Sequence, residues 1–561
     1  MGANLGLFGK PDVDAVGRAK QMKFFSFAKP HMRGFHFSWS CFFLAFLTWF
    51  SIPALSNWIL INPKDPTNPG SLNLVNRKEF ATSNILNVGS TIAMRVLIGP
   101  VCDHVGPRLA MVGLMLCGAI PICFFGLVNT AIGLFVLRFF VGVIGATFVP
   151  CQYWTTLMFS PTTVGTANAF AGGWGNLGGG ATFIIMPLIF RAFRSGLDLQ
   201  SAITWSFVVP GVVTISWALT TYFFSVDCPQ GKYKDRIRPG ETAEEARERI
   251  AASQINLPQM NSQTSVVSMP AARKEESVLA SLWDSIKDVF SHQNTIILII
   301  QYGGCFGVEL TVNSFLAAYF FQDFYIKGSK PPVHQISPDE NEARQVASTI
   351  AACFGLMNLF ARALGGIFSD FMNKHLNMSG RLIAHMLCLT LEAVFLLIFS
   401  FQTEIWTALG VVIVFSLFVQ MSEGTSYGIV PYVSKKHTGV VAGLVGAGGN
   451  LGAVCLGIAF RQMPDRWDFA FRIVAFFVFA CAALTPLLYI QGQFIVPTKR
   501  TYEAVRDERE RLANKPHYGH ATQPKDISVS DGDHATLPGG TESMEAGGVS
   551  PGESRPASVA H

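Results

Sequence analysis

Arg95 and Arg362 are the residues of this chain best suited to chemistry, because each is an arginine inside an apolar run. Arg95 opens the pattern Arg95-xxx-Gly99-xxx-Asp103, and Arg362 opens the same pattern, Arg362-xxx-Gly366-xxx-Asp370. Positions i, i+4 and i+8 share one helix face. At about 1.5 Å per residue each arginine lies about 12 Å deeper than its aspartate. A guanidinium in hydrocarbon costs at least about 2.5–3.5 kcal/mol and cannot escape by deprotonating. Snorkelling or pairing with an acid would be the structural explanation; depth argues against the first, and repetition argues against accident. Two buried cations facing each other want an anion. The planar fork of guanidinium donors fits a planar oxyanion through two parallel hydrogen bonds.

A second repeated pattern supplies neutral donors. Residues 169–180 read AFAGGWGNLGGG and residues 446–452 read GAGGNLG, so Asn176 and Asn450 hold matched places among glycines in two apolar runs. The same spacing relates Gly165 to Gly439 and Tyr153 to Tyr427. An amide in hydrocarbon must find a partner. The competing reading is a seam where small residues let helices approach. Tyr153 and Tyr427 could add hydroxyl donors or simply pack near span ends. Glu309, four residues before Asn313, is the acid most clearly within a run and the candidate for carrying a proton. Arg138, in Arg138-xxx-Gly142-xx-Gly145, reads equally well as a structural contact; Glu392 and Glu423 are further charges in apolar runs. There is no metal-ligand cluster and no nucleophile–base spacing, so neither an enzyme, a cofactor nor a metal is expected.

Helices through a bilayer must position these groups. The chain has 561 residues, 50% hydrophobic and 14% charged, with a mean hydropathy of +0.35. A soluble globular chain carries closer to about 25% charge. With about 20 apolar residues per crossing, twelve spans are expected. They cover residues 35–60, 82–102, 109–128, 131–159, 164–190, 202–226, 295–324, 347–371, 382–401, 405–433, 439–461 and 469–493. The domain plan is then an arm (1–34), a six-helix bundle (35–226), a polar central loop (227–293), a second six-helix bundle (294–495) and a polar, disordered tail (496–561). Within the loop, 241–250 could form a short surface helix. Basic residues gather in the arm, the central loop, the even-numbered loops and the start of the tail, which places that side and both termini in the cytoplasm. Eleven cysteines without CxxC spacing suggest neither disulfides nor zinc. The basic residues form no stripe that would bind nucleic acid.

Three sets of residues resemble a known family. GPVCDHVGPR (99–108) resembles the loop motif between the second and third helices of the major facilitator superfamily, with GGIFSDFMNK (365–374) as its second copy. Gly99, Asp103, Arg108, Gly366 and Asp370 would then form its gating motif. AGGWGNLGGG and GAGGNLGAV resemble the paired signatures of the nitrate/nitrite porter family. FAKPHMRGFHFSW (27–39), TFVPCQYW (147–154) and GVELTVNS (307–314) are similar to its eukaryotic members from fungi, algae and plants. The resemblance implies an all-α membrane protein with twelve transmembrane helices in two pseudo-symmetric six-helix bundles. It implies nitrate, often with nitrite, carried by alternating access. The leading reading is import across the plasma membrane by proton symport, because a negative cytoplasm opposes the entry of an anion alone. Arg95 and Arg362 would hold the anion between them, with Asn176 and Asn450 beside it. Plant members often need a single-span accessory protein. A nitrate/nitrite exchanger, another small-anion carrier, or a nitrate sensor of the same fold are the alternatives.

Overall fold

The computed structural model describes residues 9–61, 70–160, 163–237, 244, 245, 249, 293–326, 340–433 and 438–496. The expected tail and nearly all of the central loop, including most of 241–250, lie outside the described residues. Eleven helices among the described residues are long and apolar enough to cross a membrane. The first six crossings are His31–Ile59, Arg77–Val105, Pro107–Leu127, Ala131–Met158, Thr166–Arg194 and Leu199–Phe224. The seventh is Gln293–Phe324. The eighth and ninth share one long element. Helix Glu340–Leu356 passes through a 3-10 turn, Met357–Leu359, into Ala361–Ser400. That last helix is two helices joined at Asn377, where φ is 56°, a value asparagine tolerates better than most residues. Ile405–Tyr432, Val440–Gln462 and Trp467–Leu487 complete the twelve.

Helices are the only open-ended solution here, because each satisfies its backbone within itself where no water can. Their ends are set by local chemistry. Asn76 and Glu79 form a capping box at the start of the second span, and Thr130 and Asp198 cap the fourth and sixth. Large apolar side chains face outward: Leu127, Ile132 and Phe223 are 76, 72 and 72% exposed. Water would not tolerate so much of this surface, and lipid does. The chain is a multi-pass membrane protein.

The glycine-rich runs let particular spans touch. A side chain at Gly178 would strike the Phe43 carbonyl of the first span, and one at Gly180 would strike Gly355 of the eighth. In the second half, Gly452 lies backbone to backbone with Gly303 of the seventh span. The packing-seam reading therefore accounts for these glycines. The fifth span packs on the eighth and the second on the eleventh, so the same two kinds of contact join the halves on both sides.

The two faces of the molecule differ. On the face that carries the N-terminal arm, Ser160 N donates to Ala19 O and Ala19 N to Met158 O, each at 2.9 Å. Arg108 Nε donates to Asp227 Oδ2 at 3.1 Å, and its Nη1 reaches the Tyr222 and Ser225 carbonyls at 3.0 and 3.2 Å. Gly106, at φ 92°, has no room for a side chain against Asp227 and Tyr233. In the second half Arg381 pairs with Asp370 at 2.6 Å. On the far face, bonds cross between the halves. Arg77 Nη2 donates to Asp323 Oδ2 at 3.0 Å and Nη1 to the Pro464 carbonyl at 2.8 Å. Arg77 also holds the Gln322 amide oxygen and lies 4.4 Å from the centre of the Trp467 ring.

Candidate functional site

The fourth span is not one helix. It tightens into a 3-10 segment, Val143–Thr147, at its middle. Short 3-10 stretches inside helices often mark functional positions. Here the break turns the Gly145 carbonyl toward the second span, where Arg95 Nη2 donates to it at 3.2 Å. Arg95 Nη1 donates to the Gly446 carbonyl of the eleventh span at 3.0 Å. The Asn450 amide oxygen accepts from Arg95 Nε at 3.1 Å and from Nη1 at 2.7 Å, the orientation that suits its neighbours. Phe148 and Phe306 flank the guanidinium, their ring centres 5.2 and 5.4 Å away. Every hydrogen-bond partner shown for Arg95 is a neutral acceptor, so its charge is oriented without being cancelled.

Arg362 is held differently. It follows the 3-10 turn Met357–Leu359 of the eighth span and lies 6.0 Å from the same Phe306 ring. Gly365 and Gly424 bring the eighth and tenth spans into backbone contact. That contact sets Glu423 directly on Arg362. Glu309 of the seventh span places Oε2 3.8 Å from Arg362 Nη2, while its Oε1 accepts from Asn358 Nδ2 at 2.5 Å. All three charged residues are buried. One guanidinium therefore faces two carboxylates, and the other, near the same aromatic ring, faces none among the described residues.

The asparagines also differ. Asn450 holds Arg95. Asn176 is 1% exposed, and neither its amide nitrogen nor its oxygen has a partner in the structure. It lies one helical turn beyond Gly172, where a side chain would come 3.5 Å from Arg362 Nη1. A buried amide whose donor and acceptor are unpartnered among the described residues, one turn from a glycine that packs near a guanidinium, is suited to an oxyanion, which supplies the missing acceptor.

Tyr427 stands beside Arg95. A side chain at Gly446 would lie 3.2 Å from the Tyr427 hydroxyl and 3.9 Å from Arg95 Nη1. Tyr427 itself donates to the Ala442 carbonyl at 3.3 Å. Tyr153 is not brought there. Its hydroxyl meets that of Tyr233 at 2.7 Å, and it packs with Ile98, Cys102 and Leu114. The matched spacing fails because five residues of 3-10 helix add about 100° of rotation to the fourth span, whereas the tenth runs as one helix, Ile405–Ile429. Arg138 is fully buried away from these groups and holds the Asn84 amide oxygen. Of the gating motif, Arg108 and Asp370 pair with Asp227 and Arg381 rather than with each other, and Asp103 is exposed.

The residues not singled out from sequence are Asn358, Phe306 and the carbonyls of Gly145 and Gly446. Glu423 was visible as a charge in an apolar run, without a place. The signal that would have placed it is Gly424 beside it, a small residue that lets another helix approach.

Residues 37–454 match the model of the Major Facilitator Superfamily. The chain is 34% identical to the high affinity nitrate transporter 2.5 of Arabidopsis thaliana, over 87% of this chain and 86% of that one. It is 26% identical to the nitrate/nitrite transporter NrtP of a Picosynechococcus strain, over 75% and 83%. The solved xylose transporter XylE of E. coli, in a partially occluded inward open conformation, superposes with a TM-score of 0.52 at 12% identity, covering 83% of this chain and 98% of that one. That last likeness concerns the fold alone. These relatives are transporters, not enzymes. On the family model and the coverage of its relatives, the chain belongs to the Major Facilitator Superfamily and, within it, to the nitrate/nitrite porter family.

Proposed function

We propose that this protein imports nitrate, and nitrite as well, across the plasma membrane by proton symport with alternating access. The arm face, rich in basic residues, is the cytoplasmic one, and both termini lie there. One observation carries the reading: a buried guanidinium from each half, Arg95 and Arg362, faces the same Phe306 ring. Such a pair fits a planar anion with three oxygens, which can accept from both forks at once. Asn450, bonded to Arg95, and Asn176, one turn from the glycine that packs near Arg362, support the same reading. Tyr427, close to Gly446 and so to Arg95, supports it from the second half.

Coupling to protons follows from the membrane potential. A negative cytoplasm opposes entry of an anion by about 2.3 kcal/mol per charge per 100 mV. Nitrate with one proton moves no charge; with more than one, the potential drives uptake. Glu309, beside Arg362, is the acid that carries a proton. An exchanger has no need of an acid at the anion site, so the carboxylates on Arg362 favour symport. The experiment is tracer nitrate uptake with simultaneous current recording in a host lacking its own transporters. Uptake with inward current is expected. No uptake rejects nitrate import, and uptake without current rejects a stoichiometry of more than one proton per nitrate.

A further inference from the structure

We propose that Glu423 is a second proton-carrying acid of this site, and that Arg362 is a counter-ion shared by Glu423 and Glu309 and released to the transported anion. The inference deepens the symport reading above and rests on it. Its basis is a juxtaposition. Glu423 contacts Arg362 directly, Glu309 lies 3.8 Å from the same Nη2, and Glu423 is fully buried. Among the described residues its own carboxylate oxygens have no hydrogen-bond donor besides that guanidinium.

The charge count of the site then matters. With both acids ionised, Arg95 and Arg362 balance Glu309 and Glu423, and the empty site is neutral. Nitrate arriving alone would leave it one charge negative in a medium where unpaired charge is costly. A proton bonded to one carboxylate restores neutrality. A proton on each leaves a single positive charge, which the potential pulls inward. Each protonation forms an O–H bond on a carboxylate and frees Arg362 N–H donors, which pass to nitrate oxygens. On the cytoplasmic side both protons return to water, the carboxylates take Arg362 back, and the empty site is again neutral. It can then reorient without working against the potential.

Other ionisable groups surround Glu423 and enter the test. Behind it on the ninth span, Glu392 is buried beside Ser422, and His385 Nδ1 lies 2.8 Å from Thr425 Oγ1. Cys305 of the seventh span is 3.9 Å from Ser426 Oγ. Tyr302 and Tyr427 stand edge to face. Of these acids, only Glu309 and Glu423 touch Arg362.

The test is a ratio, so it can be read on whatever flux a variant retains. The full-length protein is reconstituted in vesicles, and charges moved per tracer nitrate are measured from reversal potentials at several pH gradients. The wild type is expected to move one net charge per nitrate. Glu423→Gln should move none, its uptake answering to a pH gradient but not to an imposed potential. Glu423→Asp should restore the charge, and Glu392→Gln should leave the ratio unchanged. An unaltered ratio in Glu423→Gln, or its loss in Glu392→Gln alone, overturns the inference. A wild type that moves no charge also overturns the inference, whereas a wild type whose uptake does not answer to the pH gradient overturns the symport reading itself, a separate outcome. If Glu423→Gln carries no flux, proton uptake on adding nitrate to the solubilised wild type, read with an indicator dye, decides: two protons per nitrate support the proposal and one rejects it.

Discussion

Arg95 and Arg362 occupy matched places in two repeated halves, yet their surroundings differ. Arg95 is clasped by two carbonyls and the Asn450 amide, which fix its direction and leave its charge in force. Arg362 carries two carboxylates, which cancel that charge until something removes them. The chain carries two copies of one cation; the neighbours leave the charge of the first uncancelled and set two carboxylates against the second. The asparagines repeat the contrast, since Asn450 is used up on Arg95 while Asn176 is unpartnered.

The largest effect should come from removing each cation. Arg362→Ala leaves two carboxylates buried without a counter-ion, which costs about 3–5 kcal/mol. Arg95→Ala orphans only neutral acceptors, at about 1–3 kcal/mol. Melting of the purified variants should rank Arg362→Ala lowest, and adding Glu423→Gln to it should recover part of the loss. The reverse ranking would break the comparison. Lysine at either place keeps the charge and loses the fork, so nitrate KM should rise about 10–100-fold in both variants, for about 1.5–3 kcal/mol of charged hydrogen bonding. Unchanged uptake kinetics in correctly localised protein would remove both arginines from the site.

The asparagines should separate next. Asn450→Ala strands the donors of Arg95 and should cost about 1–3 kcal/mol of stability along with uptake. Asn176→Ala removes an unsatisfied amide, so stability should stay within about 0.5 kcal/mol while uptake falls. Equal falls of abundance and uptake in Asn176→Ala would make it a packing residue. The smallest effect concerns the arm face. The Asp227 side chain is 4% exposed in its pair with Arg108, whereas that of Asp370 is 71% exposed in its pair with Arg381. Asp227→Asn should therefore cost about 1–3 kcal/mol and Asp370→Asn under about 1 kcal/mol, compared by melting.

Sequence made the twelve spans and the two arginines legible for one reason. In hydrocarbon a charge is rare, and a repeated one rarer, so Arg95 and Arg362 stood out. Glu423 was as unusual in composition but had no repeat, and its depth depends on how Gly424 seats against the eighth span. The matched tyrosines misled because spacing counts residues, whereas the fourth span changes its rotation per residue at Val143–Thr147. The same break exposes the Gly145 carbonyl to Arg95, a backbone group that no side-chain pattern announces. The division of the chain into arm, bundles, loop and tail follows from composition, and nothing in the geometry of the site depends on its exact borders.

The clasp of Arg77 on Asp323, Gln322 and the Pro464 carbonyl has a kinetic meaning. It joins the halves on the far face, with both partners of the ion pair under 9% exposed. For an anion to enter from that side these bonds must open together, so the open form is a minority of molecules at rest. The affinity measured from that side is then the intrinsic affinity reduced by the open fraction. Weakening the clasp would make the protein look like a tighter binder from that face without altering a single contact to the anion.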